Sequence, residues 1–237
     1  MPDDAATGIG TVIAKLEPLL LPRRIARMRA VLATRSDHVV FVFERMTDPH
    51  NLSAALRSLD AFGFQDAHWI APEAELGLSH LITRGTERWL TLCEHADTAA
   101  CFAALRARGY RVLASAVPAP AGSARPAADS PGSPPLDSLD LRRRTAFVFG
   151  SEHAGVTPDT LARADGRFHI PMVGFAESLN LSVACAITAY QARRELRHLE
   201  SVTGDPAAFG LPEDRKQALY AEWLRRSVRS ADKVLGE

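Results

Sequence analysis

Cysteine is scarce in this 237-residue chain, and the three present, Cys93, Cys101 and Cys185, form no CxxC pair. That argues against a disulfide framework. No His-x-x-x-His accompanies them at ligand spacing, so no metal is expected and the thiols read as buried and inert. Net charge is also missing, since 28 Lys and Arg are matched by 28 Asp and Glu. A nucleic-acid footprint, if there is one, must therefore be local. No apolar run approaches a membrane span, and the N-terminus carries Asp3 and Asp4 rather than a basic region. A cytoplasmic protein with no membrane partner is expected. Three phosphate and nucleophile signatures are absent too. No GxGxxG follows the first strand, no GxxxxGK[ST] occurs, and no GxSxG elbow is present. A Rossmann dinucleotide site, a P-loop and a Ser-His-Asp hydrolase are thus unsupported.

What is present is ordinary globular material. Apolar residues make up 46% of the chain, enough to bury a sizeable core. Val39 to Glu44, Ala67 to Ile70, Tyr110 to Ala116, Thr145 to Phe149 and Phe168 to Pro171 are short apolar runs that read as buried strands. Between them, Ser53 to Phe62 and Thr98 to Arg108 repeat apolar residues at helical spacing, closed by Gly63 and Gly109. This alternation predicts an α/β fold with a parallel sheet. Pro118 to Leu136, rich in Pro, Ala, Ser and Gly, reads as a flexible inserted loop. From Ser178 a long helix is predicted that is apolar nearly all round, hence buried or at a subunit interface.

The domain reading has three parts: a basic helical extension over 1–36, a core over 37–194 and a helical tail over 195–237. In the extension, Pro22 to Arg35 holds five arginines and no acid. Arg24, Arg27 and Arg35 fall within one arc of a helical wheel. Alone, such a cluster reads as a solvated helix face rather than a phosphate contact.

Three polar segments each follow a predicted strand, where α/β sheets place their ligands. They are Asp48-Pro49-His50-Asn51 with Arg57, Gly150-Ser151-Glu152-His153-Ala154-Gly155, and Ile170-Pro171-Met172 with Ser178-Leu179-Asn180-Leu181-Ser182. Taken singly, Asn51 and Ser178 read as helix N-caps, Glu152 as a cap or helix charge, and Arg57 as a surface residue. Together they set an amide, a guanidinium, a carboxylate and a hydroxyl after three strands, a set suited to a phosphate or ribose.

At these three segments the chain resembles the SpoU family of the SPOUT methyltransferases, most closely its TrmH branch, the tRNA guanosine 2′-O-methyltransferases. The likeness runs from about Arg24 to Arg194. His50-Asn51, the arginine-rich helix, Trp89 and the tail with Trp223 point to that branch. The long loop over 118–136 and the apolar segment Val12 to Leu21 depart from its pattern.

The resemblance implies a deep C-terminal trefoil knot, an exception to the usual rule against threaded chains, and a homodimer. It implies an S-adenosylmethionine-dependent enzyme that methylates a guanosine ribose of tRNA, in the D-loop at guanosine 18. It assigns the reaction to Arg57, Asn51, Glu152, Ser178 and Asn180. It assigns the cofactor to Ser115, Gly150, Ile170, Met172 and Leu179, and RNA to Arg24, Arg27, Arg35 and His50. Two alternatives stand beside it: a ribosomal RNA 2′-O-ribose methyltransferase of the same family, and a non-catalytic RNA-binding factor on the same scaffold.

Overall fold

The structure, a computed structural model, describes residues 3–71, 85–116, 133–151 and 154–236. The chain divides into two compact units. One comprises residues 37–209, the other 1–36 together with 210–237.

The larger unit is built on a six-stranded sheet, all of whose neighbours run parallel. Its strands are β1 (Val39–Glu44), β2 (Asp66–Ile70), β3 (Thr91–His95), β4 (Arg111–Ser115), β5 (Thr145–Phe149) and β6 (Gly166–Phe168). Their order across the sheet is β3-β2-β1-β5-β4-β6. The order reverses between β1 and β5, which pair from Val39↔Thr145 to Phe43↔Phe149. In open α/β sheets the crevice beyond the carboxyl ends at such a reversal is where ligands sit.

Helices cover both faces of this sheet because both faces are apolar. On one face Val39, Phe41 and Phe43 join Phe147, Phe149 and Phe168, under helices α3 (Pro49–Ala61) and α6 (Leu181–Thr203). On the other, Val40, Val42, Ala146 and Val148 meet Cys101, Phe102 and Leu105 of α4 (Thr98–Ala107). A short helix α5 (Pro158–Arg163) precedes β6.

The end of α3 follows from its sequence. Gly63 takes φ 76°, a left-handed conformation that suits glycine. The amide of Phe64 then returns to the carbonyl of Leu59 at 2.9 Å. Arg193 of α6 donates to the carbonyls of Phe62 (2.7 Å) and Gly63 (2.9 Å), satisfying acceptors the helix leaves open.

The second unit gathers the two chain ends: α1 (Asp3–Leu16), α2 (Pro22–Ala33), α7 (Glu213–Ser227) and α8 (Ala231–Leu235). Leu16, Met28, Leu32, Leu219, Trp223 and Leu224 are buried in it. Glu17 accepts from Tyr220 at 2.7 Å and from Arg29 at 2.8 Å.

Four expectations change. The sequence reading places the tail from residue 195, but α6 continues to Thr203 because Ala189, Ala192, Leu196 and Leu199 keep one buried stripe against the sheet. The first twelve residues read as a loose end, yet α1 begins at Asp3, and Val12 and Leu16 are buried. Strand β3 has no counterpart in the sequence reading, because Thr91-Leu92-Cys93-Glu94-His95 is too polar to read as a buried run. Of the predicted proline-rich loop, residues 118–132 lie outside the described residues, while Leu136 is buried and its amide reaches His169 at 2.8 Å.

Candidate functional site

The first two polar segments follow neighbouring strands, and a hydrogen bond ties the third segment to the first. Asp48 follows β1 and Gly150 follows β5, its neighbour across the reversal point. Asp48, not Asn51, is the N-cap of α3: its side chain accepts from the amide of His50 at 2.9 Å. The helix therefore starts earlier than the sequence suggests, and Asn51 falls in its first turn.

That shift frees the Asn51 side chain for another element. Asn180 Nδ2 donates to Asn51 Oδ1 at 3.0 Å, a contact between the first and third segments. Asn180 is the N-cap of α6, accepting through Oδ1 from the Ser182 amide (2.9 Å) and hydroxyl (2.6 Å). A backbone amide can only donate, so Asn180 Oδ1 must face Ser182 and its Nδ2 must face Asn51. Ser178, which the sequence places at the start of this helix, lies before the cap and is exposed.

Arg57 is exposed, on the face of α3 opposite Leu52, Ala55, Leu56 and Leu59. At about 100° per residue, it stands some 240° around the helix from Asn51. Among the described residues it makes no hydrogen bond or ion pair. The structure thus unites Asn51 with Asn180 but brings neither Arg57, Ser178 nor His50 into hydrogen-bond contact with them. Glu152 lies outside the described residues.

The second segment is a tight loop. Ser151 and Gly155 exchange both backbone hydrogen bonds, at 3.1 and 2.9 Å, and Gly155 takes φ 66°. A Cβ on Gly150 would lie 1.9 Å from the Gly155 carbonyl carbon and 2.1 Å from the Val156 nitrogen. Only glycine fits there, because backbone on the far side cannot yield.

The sequence reading missed the residue that anchors this loop. Glu44, the last residue of β1, is 1% exposed. It accepts from the Thr157 amide at 2.9 Å and from the hydroxyls of Thr157 and Thr160, both at 2.6 Å. Thr98 adds a longer contact at 3.4 Å. A buried carboxylate is tolerated only when so satisfied. Glu44 thereby ties the chain after the Gly150 loop to the strand that carries the first segment. The available signal was a single acid closing an otherwise apolar strand.

Of the positions that the resemblance assigns to the cofactor, Ser115 closes β4 and Gly150 follows β5. Ser115 stands opposite Phe168 in register, and the next amide, of Ala116, donates to the Phe168 carbonyl at 2.8 Å. Ser115, Ile170, Met172 and Leu179 are half-buried, and Gly150 is buried. These positions offer peptide groups near the ends of β4, β5 and β6, with partly exposed apolar side chains at Ile170, Met172 and Leu179.

In the second unit, Arg27 is exposed, and Arg24 is exposed with one contact to Ser227 Oγ at 3.3 Å. Arg35 corrects the sequence reading. It lies beyond the end of α2, is 1% exposed, and places its guanidinium 5.6 Å from the ring centre of Trp223. It is a packing residue here, and so it does not present a cation to phosphate.

Comparison with known proteins adds identity to this geometry. The SpoU rRNA Methylase family model matches residues 38–190. The tRNA (guanosine(18)-2′-O)-methyltransferase of Thermus thermophilus is 34% identical over 203 residues, covering 86% of this chain and 96% of that protein. The crystal structure of the A. aeolicus TrmH/SpoU tRNA modifying enzyme superimposes with a TM-score of 0.68 at 26% identity, covering 88% of this chain and 98% of that one. An AdoMet-bound rRNA methyltransferase from Sinorhizobium meliloti superimposes with a TM-score of 0.55 at 25% identity, covering 69% of this chain and 58% of that one. With the family model spanning the whole sheet and a relative matched along nearly its full length, this chain belongs to the SpoU methylase family.

Proposed function

We propose that this protein transfers a methyl group from S-adenosylmethionine to the 2′-hydroxyl of a guanosine ribose in tRNA, at position 18 of the D-loop, the position named for its Thermus thermophilus relative. The observation that carries the reading is the joining of Asn51 and Asn180 beside the reversal point of the sheet, in a chain of which that relative matches 86%. The ribosomal alternative is weaker, since the rRNA methyltransferase matched here shares only 58% of its own length with this chain.

The residues present fit S-adenosylmethionine. Peptide groups at Ser115, Gly150 and Leu179 suit the edges of adenine and the methionine ends, and Ile170 and Met172 offer apolar walls. When bound, the cofactor supplies an electrophilic methyl on a sulfonium. We assign Arg57 to the target phosphate and the oxyanion that develops on the ribose, because a guanidinium keeps its proton at neutral pH and serves poorly as a base. Asn51, oriented by Asn180, positions the ribose. Glu152 supplies an orienting carboxylate, and Ser178 and His50 border the substrate. Arg24 and Arg27 meet backbone phosphate.

The protein acts as a homodimer. Val183, Ile187 and Tyr190 stand exposed at i, i+4 and i+7 along α6, and Val173 and Phe175 are exposed on the loop before it. An apolar stripe continuous with a site loop fits a second copy, whose symmetry would bury the same stripe twice. The knot implied by the resemblance belongs with this reading. None of the described helices is long and apolar enough to cross a membrane, and a tRNA substrate fits an activity in the cytoplasm.

The test is methyl transfer from labelled S-adenosylmethionine to unmodified tRNA and to ribosomal RNA, with the modified nucleoside identified. Incorporation as 2′-O-methylguanosine in tRNA is expected. Incorporation into ribosomal RNA alone would move the substrate to the alternative, and incorporation into neither would leave a binding factor.

A further inference from the structure

On the sheet face covered by α4, away from the Asn51–Asn180 pair, three metal-ligand side chains converge. His68 lies on β2, His95 closes β3 and Cys101 lies on α4. Their donor atoms all lie within 4.8 Å of one another. His68 Nδ1 and His95 Nε2 are 2.9 Å apart, with the two rings stacked at 5.2 Å. His68 and Cys101 are buried and His95 is half-buried. Cys93 stands directly opposite His68 in the β2–β3 register, so it projects from the same face of the sheet.

We propose that His68, His95 and Cys101 form a zinc site that staples the edge strand β3 to β2 and α4. Two imidazoles and a thiolate are the borderline-soft donor set that zinc selects. With bonds of about 2.0–2.1 Å to nitrogen and 2.3 Å to sulfur, tetrahedral ligands stand roughly 3.3–3.8 Å apart. Side-chain adjustments of less than an ångström or so bring the present donors to that spacing. Cys93, the further thiol on that face, is the candidate for a fourth ligand.

The protonation chemistry agrees with this geometry. In the His68–His95 hydrogen bond one ring donates and the other accepts. On binding the metal the Cys101 thiol releases its proton to solvent, while each imidazole stays neutral, keeping its one proton on the nitrogen that faces away from the metal. The sequence concealed the site because its ligands come from three elements, with no CxxC or His-x-x-x-His spacing.

The experiment is a titration of the chelator-treated full-length protein with Co²⁺, followed by displacement with Zn²⁺. Expected are stoichiometric uptake, visible bands of tetrahedral cobalt and a near-ultraviolet thiolate-to-cobalt band, all removed by Zn²⁺. Cys101→Ala should abolish the thiolate band. His95→Gln, at a half-exposed position, should weaken zinc binding by about tenfold or more. The absence of tetrahedral bands in the wild-type protein, or zinc binding unchanged in both variants, would overturn the proposal.

Discussion

Asn180 performs two tasks with one amide: Oδ1 caps α6 through the Ser182 amide, and Nδ2 donates to Asn51 of α3. Arg193 holds the opposite end of α3 through Phe62 and Gly63. The two helices therefore run side by side in the same direction, fixed at both ends, and the first of those fixings lies in the proposed site.

The two tasks can be separated. Asn180→Asp keeps an acceptor for the cap, since Asp is as good an N-cap as Asn, but it cannot donate to Asn51. Thermal stability should change little, while the methyl-transfer rate should fall by about tenfold to a hundredfold, in the range of a small misplacement at a reacting centre. Asn180→Ala should lose both, with about 1 kcal/mol of stability gone as well. Melting curves and initial rates on the same preparations check this. Equal rates in Asn180→Asp and wild type would remove Asn51 orientation from the account.

Glu44 predicts a stability effect with a binding consequence. Glu44→Gln replaces a carboxylate oxygen by an NH₂ group facing hydroxyls already committed as donors. Leaving one buried partner unsatisfied costs about 1–3 kcal/mol. Urea unfolding should show that loss, and the KM for S-adenosylmethionine should rise, because the chain following the Gly150 loop loses its tie to β1. A loss of stability with an unaltered KM would make Glu44 purely structural.

Gly150→Ala tests the loop itself. The added methyl overlaps backbone atoms of Gly155 and Val156, so the loop must open. Calorimetry should detect no S-adenosylmethionine binding, while the far-ultraviolet circular dichroism of the sheet and helices persists. Binding at wild-type strength would show that this loop does not hold the cofactor.

The arginines separate packing from phosphate contact. Arg27→Ala should lower tRNA affinity and reduce the slope of log affinity against log salt by about one, with no change in melting temperature. Arg35→Ala should do the reverse. It empties a buried position against Trp223, which costs stability, and leaves the salt slope alone. Filter binding over a salt series, beside melting curves, decides between them.

How much of this was legible in sequence depends on which physical signal each part carries. Strands β1 and β5 were plain, because both faces are buried and so every residue but Glu44 is apolar or β-branched. Strand β3, at the edge, carries polar residues and left no such run. Asn51 and Asn180 were identified through motif resemblance, but their contact depends on where the two helices begin. Ser178 and Asn180 can both cap a helix, as can Asp48 and Asn51, and local sequence does not rank them. Arg35 misled for a related reason. A helical wheel continues past Ala33, whereas the helix stops there and the chain turns Arg35 inward. Glu44 and the His68–His95–Cys101 group depend on contacts across many residues, which no local pattern reports.

The most direct measurement compares two tRNAs identical but for the ribose at position 18, guanosine in one and 2′-deoxyguanosine in the other, the position being that named for the Thermus thermophilus relative. The account predicts stoichiometric methyl transfer to the first, lost in Arg57→Ala, and only background transfer to the second. Equal transfer to both tRNAs would contradict it.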